Sequence, residues 1–117
     1  MSPFEPTRLQ ATLDAAGPAF VTRMRDVFAR SVREKTNDLR DAVATGDAEG
    51  AHRAAHSIKG SAATVGLSAL QHLAQDLERQ ARDAPGSVTL DALTPLDNAL
   101  DDGLAAMDAW IAEIVGA

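Results

Sequence analysis

Gly46-Asp47-Ala48-Glu49-Gly50-Ala51-His52-Arg53-Ala54-Ala55-His56-Ser57-Ile58-Lys59-Gly60-Ser61-Ala62-Ala63-Thr64-Val65-Gly66 is the stretch that decides the fold. Gly46 ends one helix, Asp47 caps the next, and Gly66 stops it after Thr64 or Val65. At about 100° per residue, Ala48, Ala51, Ala55, Ile58, Ala62 and Val65 fall on one stripe, the side that packs. His56 points roughly 130° from the centre of that stripe. His52, Lys59, Gly60 and Ala63 share its outer sector. A solvent face is normally filled by long charged helix formers. Here a glycine follows the histidine by one turn, at a cost of about 1 kcal/mol relative to alanine. A low-relief patch that admits another protein closely accounts for that cost.

The same three-four spacing runs through the rest of the chain, and nowhere is there a clean alternation of period two. A first helix is expected over Pro6 to Ala16, with Leu9 and Leu13 inward, and Gly17-Pro18 punctuates it. A long second helix, Pro18 to Thr45, points Phe20, Met24, Val27, Phe28, Leu39, Ala42 and Val43 inward. Ser68-Ala69-Leu70-Gln71 reads as a capping box that opens a fourth helix lasting to about Arg82. Ala84-Pro85-Gly86-Ser87 is a connector. The last helix reaches Val115 and carries Leu96, Leu100, Leu104, Met107 and Ile111. Its start has two readings: Thr94-Pro95 as cap and first position, or an earlier start at Leu90 and Leu93 with Pro95 ending a short turn or kinking a longer helix. The expectation is all-α: an antiparallel up-down four-helix bundle with a short additional N-terminal helix, one domain over residues 1–117.

With 117 residues, a net charge of −6, no cysteine and no tyrosine, the chain lacks disulfides, thiol nucleophiles and zinc-cysteine sites. The acidic balance and scarce aromatics argue against nucleic acid and anionic membranes as partners. No apolar run is long enough to span a membrane and no signal-peptide pattern opens the chain, so a cytoplasmic protein is expected.

A neutral imidazole is a competent nucleophile near physiological pH. It needs one ring nitrogen open to solvent and the other held in the right tautomer. Lys59, three residues on, is within reach of an anion at His56, whereas Ser57 and Ser61 lie to the side. On the next helix Leu70, Leu73, Leu77 and Ala81 form the inward stripe. Glu78 flanks it, placed to reach the second nitrogen of His56, fix its tautomer and raise the basicity of the other. Plainer readings stand beside these: Lys59 as a solvated lysine, Gly60 as a close helix-packing position, Glu78 as an ion-pair partner of Arg82 at i+4.

The run Ala55-His56-Ser57-Ile58-Lys59-Gly60-Ser61-Ala62, with Gly66-Leu67 and Leu77-Glu78 after it and Asp38-Leu39-Arg40, Ala42 and Gly46-Asp47 before it, resembles the histidine-containing phosphotransfer (HPt) domains of multi-step phosphorelays. The likeness covers roughly residues 20 to 80, with its signature at about 47–82; the flanks resemble the family only as helices. It implies a carrier that takes a phosphoryl group onto the outer ring nitrogen of His56 from a receiver-domain aspartate and passes it to another. Lys59 would interact with the phosphoryl group and Glu78, at a position where the family has glutamine or glutamate, would orient the imidazole. Gly60 would leave room for the incoming receiver. His52, Arg53 and Ala63 would border the docking face, His52 lying outside the motif.

The implied partners are response-regulator receiver domains and a hybrid histidine kinase. The Mg2+ ion sits on the receiver, and no cofactor is expected on this chain. Neither GxxxxGK[ST] nor GxGxxG occurs, so the reading is a carrier without its own kinase activity, monomeric because four helices can bury their own stripes. A start at Met1 and an end just after the last helix favour a stand-alone carrier over the N-terminal phosphotransfer domain of a chemotaxis-type histidine kinase. Two readings without phosphotransfer are a metal site built on His52 and His56 at i and i+4, with His72 on another helix, and an adaptor bundle whose flat face only binds.

Overall fold

The computed structural model describes residues 2–116. Its helices are α1 (Thr7–Ala16), α2 (Pro18–Thr45), α3 (Ala48–Val65), α4 (Ser68–Asp83) and α5 (Thr94–Gly116), with a 3-10 turn over Asp91–Leu93. No strand occurs among the described residues. Helices α2 to α5 pack as the expected antiparallel bundle, and α1 lies against α2 and α3. The chain reverses twice on single left-handed glycines. Gly46, at φ 74°, closes α2, and the Asp47 amide donates to Ala42 O at 2.8 Å. Gly66, at φ 86°, closes α3, and its amide and that of Leu67 both donate to Ala62 O. Links this short force neighbouring helices antiparallel. Asp47 caps α3 through a 2.9 Å bond from the Gly50 amide to its Oδ1.

The inward stripe of α3 lies as its spacing predicts: Ala51, Ala55, Ile58, Ala62 and Val65 are buried, and Ala48 is half-buried. It meets Leu70, Ala74, Leu77 and Ala81 of α4 and Val32, Leu39 and Ala42 of α2 in one core cluster. Small alanines let α3 and α4 approach closely, which brings their side chains into register across the seam. Three ion pairs run along the seam of α2 and α5, Arg25–Asp108 at 2.6 Å, Arg33–Asp101 at 3.5 Å and Arg40–Asp97 at 2.7 Å. Numbers rise on α2 as they fall on α5, so the pairs read out the antiparallel register; such exposed pairs contribute ~0–1 kcal/mol each.

At three places the structure corrects the sequence. Phe20 and Val27 were expected inward, yet they are 44% and 60% exposed. The buried stripe of α2 is Val21, Phe28, Val32, Leu39 and Ala42, and the two side chains sit about 80–100° to one side of it. They line an open groove beside α3 instead. The capping box at Ser68 does not form: Leu67 is the N-cap of α4 and makes no side-chain cap bond. Leu67 is fully buried, and a Cβ on Gly103 of α5 would touch its methyl groups, so the helix entry is fixed by packing. Finally, Leu90 is 50% exposed whereas Leu93 is buried. The short turn before Pro95 is the 3-10 turn, which runs straight into α5 through Thr94 at φ −59°. Pro95 sits in the first turn, where its missing N–H costs nothing.

The N-terminal segment straps the end of the bundle that holds the α3–α4 turn. The Glu5 amide donates to Gly66 O at 2.8 Å, and Phe4 is buried with its ring 5.8 Å from that of Trp110. A Cβ on Gly66 would run into the Glu5 carbonyl, a second reason for glycine there beyond its positive φ.

Candidate functional site

His56 stands on the exposed side of α3 between Ala55 and Ser57, with its side chain 65% exposed. Its backbone is held by the alanine stripe on the opposite side, so packing fixes the helix without engaging the ring. The Nδ1 edge of the ring faces α4, 2.8 Å from Glu78 Oε1. A carboxylate accepts, so the bond assigns the proton to Nδ1 and leaves the lone pair on Nε2, the edge turned away from the protein.

Glu78 is the organising group. Its side chain is only 12% exposed and gathers three basic neighbours from α3: His56, Lys59 with Nζ 2.7 Å from Oε2, and His52 with Nε2 3.8 Å from Oε1. The Lys59 contact is a charge pair without the alignment of a hydrogen bond, which leaves the buried Oε2 with no hydrogen-bond partner among the described residues. The Lys59 ammonium, and after it the His56 ring, hold the Glu78 carboxyl below the ordinary carboxylate range, against burial that pushes it up. These cations favour the ionised form of Glu78.

The structure brings Glu78 to the second ring nitrogen of His56, as the spacing of α3 and α4 suggests, and also brings Lys59 to the same carboxylate, which the spacing does not. Sequence and structure differ on what surrounds this cluster. Arg82, the simple partner for Glu78, instead pairs with Asp83 at 2.8 Å. Lys59 lies on the carboxylate rather than reaching freely past the ring. Ser61 accepts a 2.7 Å bond from Lys35 and faces α2, and Ser57 lines a polar groove there with Arg53, so neither hydroxyl is brought to His56. Arg53 pairs with Glu49 at 3.4 Å. A Cβ built on Gly60 meets nothing within 4 Å, so no packing inside this protein requires glycine there. Ala63 is half-buried one turn further.

Two features escaped the sequence reading. One is the groove of about 370 Å³ lined by Phe20, Met24, Val27, Phe28, Thr64 and Val65, which continues the flat side of α3 beyond Gly60. A second apolar stripe offset from the first was its available signal. The other is the approach of His52 to Glu78, which spacing along α3 alone does not reveal. His72 lies exposed on α4, and no group of three or more His, Cys, Asp or Glu able to hold a metal occurs among the described residues.

Residues 23–110, three quarters of the chain, match the family model described as Hpt domain. The chain belongs to the Hpt domain family. Members of this family are histidine phosphocarrier modules of phosphorelays that work with receiver and kinase partners. The match runs past the expected 20–80 into α5 and begins after α1 and the first turn of α2. Comparison with curated proteins and with solved structures gave no match. No described helix is long and apolar enough to cross a membrane.

Proposed function

We propose that this protein is a cytoplasmic phosphorelay intermediate in which Nε2 of His56 takes the phosphoryl group from a receiver-domain aspartate and returns it to another. The observation that supports this most is the 2.8 Å bond from His56 Nδ1 to Glu78 on an otherwise exposed ring. In the forward step the Nε2 lone pair attacks phosphorus, a P–N bond forms, and the aspartate leaves as a carboxylate. The proton on Nδ1 stays in place, and Glu78 stabilises the positive charge that develops on the ring. Lys59, adjacent to the same carboxylate, supplies positive potential for the incoming anion.

In this reading the receiver brings the magnesium ion and most of the transition-state stabilisation, and this chain supplies the nucleophile. The receiver approaches over Gly60 and Ala63, bordered by His52 and Arg53, and the Phe20–Val27 groove continues that face. Exposed apolar surface of this kind marks contact sites.

The test is incubation with a panel of phosphorylated receiver domains and Mg2+. Acid-labile label on wild type and none on His56→Gln is the expected result, since phosphohistidine is a labile phosphoramidate. Acid-stable label would move the site to a hydroxyl such as Ser57 or Ser61. Stable complexes with receivers but no label on a folded chain would favour the adaptor reading.

A further inference from the structure

One cation on the docking side of the molecule has no part in the site described above. Among the described residues, every lysine and arginine has a carboxylate partner except Arg8, Arg23, Arg30 and Lys35. The three arginines are exposed to water, whereas Lys35 is half-buried. Its Nζ donates to Ser61 Oγ at 2.7 Å, across the seam from α2 to α3. Asp38 and Asp41 line the polar groove beside it, yet neither carboxylate pairs with it.

The position of Lys35 gives its charge a direction. Along α2, the side next to the flat surface of α3 is apolar at Phe20 and Val27 and acidic at Asp38 and Asp41, and Lys35 stands where the two meet. Ser61, which holds the ammonium, also lines the apolar groove. It follows Gly60 directly and lies five residues after His56, about 7.5 Å along the helix axis. Lys35 therefore borders the Gly60 surface on its α2 flank, as Glu78 and Lys59 border it on the α4 flank.

We propose that Lys35 is a partner-selecting residue: its ammonium, held beside Gly60 by Ser61, pairs with a carboxylate on the receiver domain that docks over His56. The proposal rests on His56 exchanging its phosphoryl group with receivers. A tie between α2 and α3 alone needs only a neutral donor. A half-buried ammonium gives up part of its hydration, and a hydroxyl partner provides no counter-charge. An arriving carboxylate does. The ammonium has three protons to donate, and the Ser61 bond uses one. Because that bond already orders the side chain, pairing costs less conformational entropy than at a free surface lysine. A domain that presents a phosphoaspartate and holds Mg2+ is rich in carboxylates around its site, which is the chemistry this cation fits. A receiver with a neutral or basic group at the facing position pairs less well, so Lys35 discriminates among receivers.

The test measures phosphoryl transfer against the concentration of phosphorylated receiver, with Mg2+, for wild type, Lys35→Met, Lys35→Glu and His56→Gln. The donor is the receiver, from a panel, that labels wild type fastest. Methionine keeps the aliphatic bulk and removes the charge, and glutamate reverses it. The expected result is a half-saturating receiver concentration raised about fivefold in Lys35→Met and at least about tenfold in Lys35→Glu, the scale of one partly desolvated charge pair, with limiting rates within about twofold of wild type. The difference should shrink as salt screens the pair. Phosphoramidate, whose P–N bond breaks as the P–Nε2 bond of His56 forms and ammonia leaves, makes no docking contact and should label wild type and both Lys35 variants at equal rates. An unchanged half-saturating concentration in Lys35→Met overturns the proposal, even where Lys35→Glu repels the receiver. So does phosphoramidate labelling that falls in step with receiver transfer, because a tie that only shapes α3 would slow both donors alike. Where Lys35→Glu fails to fold, Lys35→Met carries the same test. No label on wild type from either donor, or label that persists in His56→Gln, overturns the phosphotransfer reading itself, a failure distinct from label confined to His56 with unchanged saturation.

Discussion

Replacing Gly60 should stabilise the protein and damage its function together. A Cβ at Gly60 meets nothing within 4 Å, and the residue lies inside α3, five residues before its end at Val65. Alanine there introduces no clash and removes the conformational cost of glycine, about 1 kcal/mol. For a domain of this length that corresponds to a rise in Tm of about 4 °C. Arginine is nearly as good a helix former as alanine, so Gly60→Arg should also melt above wild type. It also sets a long cationic side chain one turn from His56, on the surface a receiver must meet. We expect receiver-to-His56 transfer to fall at least about tenfold in Gly60→Arg, a loss of roughly 1.4 kcal/mol or more, and much less in Gly60→Ala. Rapid-quench transfer kinetics and thermal melts followed by circular dichroism read the two effects separately. Labelling by phosphoramidate, a donor too small to touch the new side chain, separates blocked docking from a damaged imidazole. Wild-type transfer in Gly60→Arg would refute the close-approach argument, and a lowered Tm in Gly60→Ala would show that the site is not open as described.

Further expectations concern the cluster and the strap. Glu78→Gln strands the Lys59 ammonium on the surface of the seam and should cost about 1–2 kcal/mol at pH 7. Because the folded Glu78 carboxyl is held below its ordinary value, its stabilisation is present above the ordinary glutamate range and is lost as pH falls through the lowered value. Melts of wild type and Glu78→Gln should therefore converge in strong acid, and a gap that persists there would mean that the loss is one of packing. Lys59→Ala should slow receiver transfer about tenfold without abolishing it, and wild-type kinetics would remove Lys59 from the site. Phe4→Ala should cost about 3 kcal/mol and shift the fluorescence of the single tryptophan, Trp110, toward a solvated indole. An unchanged spectrum would mean that the strap does not hold in solution.

The parts of this structure that were legible in the sequence are those fixed by local chemistry. The bounds of α3 follow from an aspartate cap and two glycines, its packing side from alanines at three-four spacing, and the exposure of His56 from the same wheel. The meeting of Glu78 with His56 was legible because the register of two tightly linked helices carries one stripe across to the next. What was not legible depends on tertiary competition. Ser68 has the chemistry of a cap, but burying Leu67 against α5 sets the helix entry one residue earlier. Phe20 and Val27 have the hydropathy of core residues, but α2 is wider in apolar pattern than its neighbours can cover. The contact of Lys59 with Glu78 and the approach of His52 to the same carboxylate depend on rotamers, which no spacing rule encodes.

The central claim is that Glu78 holds Nδ1 of His56 and leaves Nε2 to react. Labelling the protein with isotopically enriched histidine, phosphorylating it, and tracing the through-bond coupling between phosphorus and ring nitrogen by NMR tests this directly. The account predicts coupling to Nε2 of His56 alone. Coupling to Nδ1, or to a ring nitrogen of His52 or His72, would contradict it.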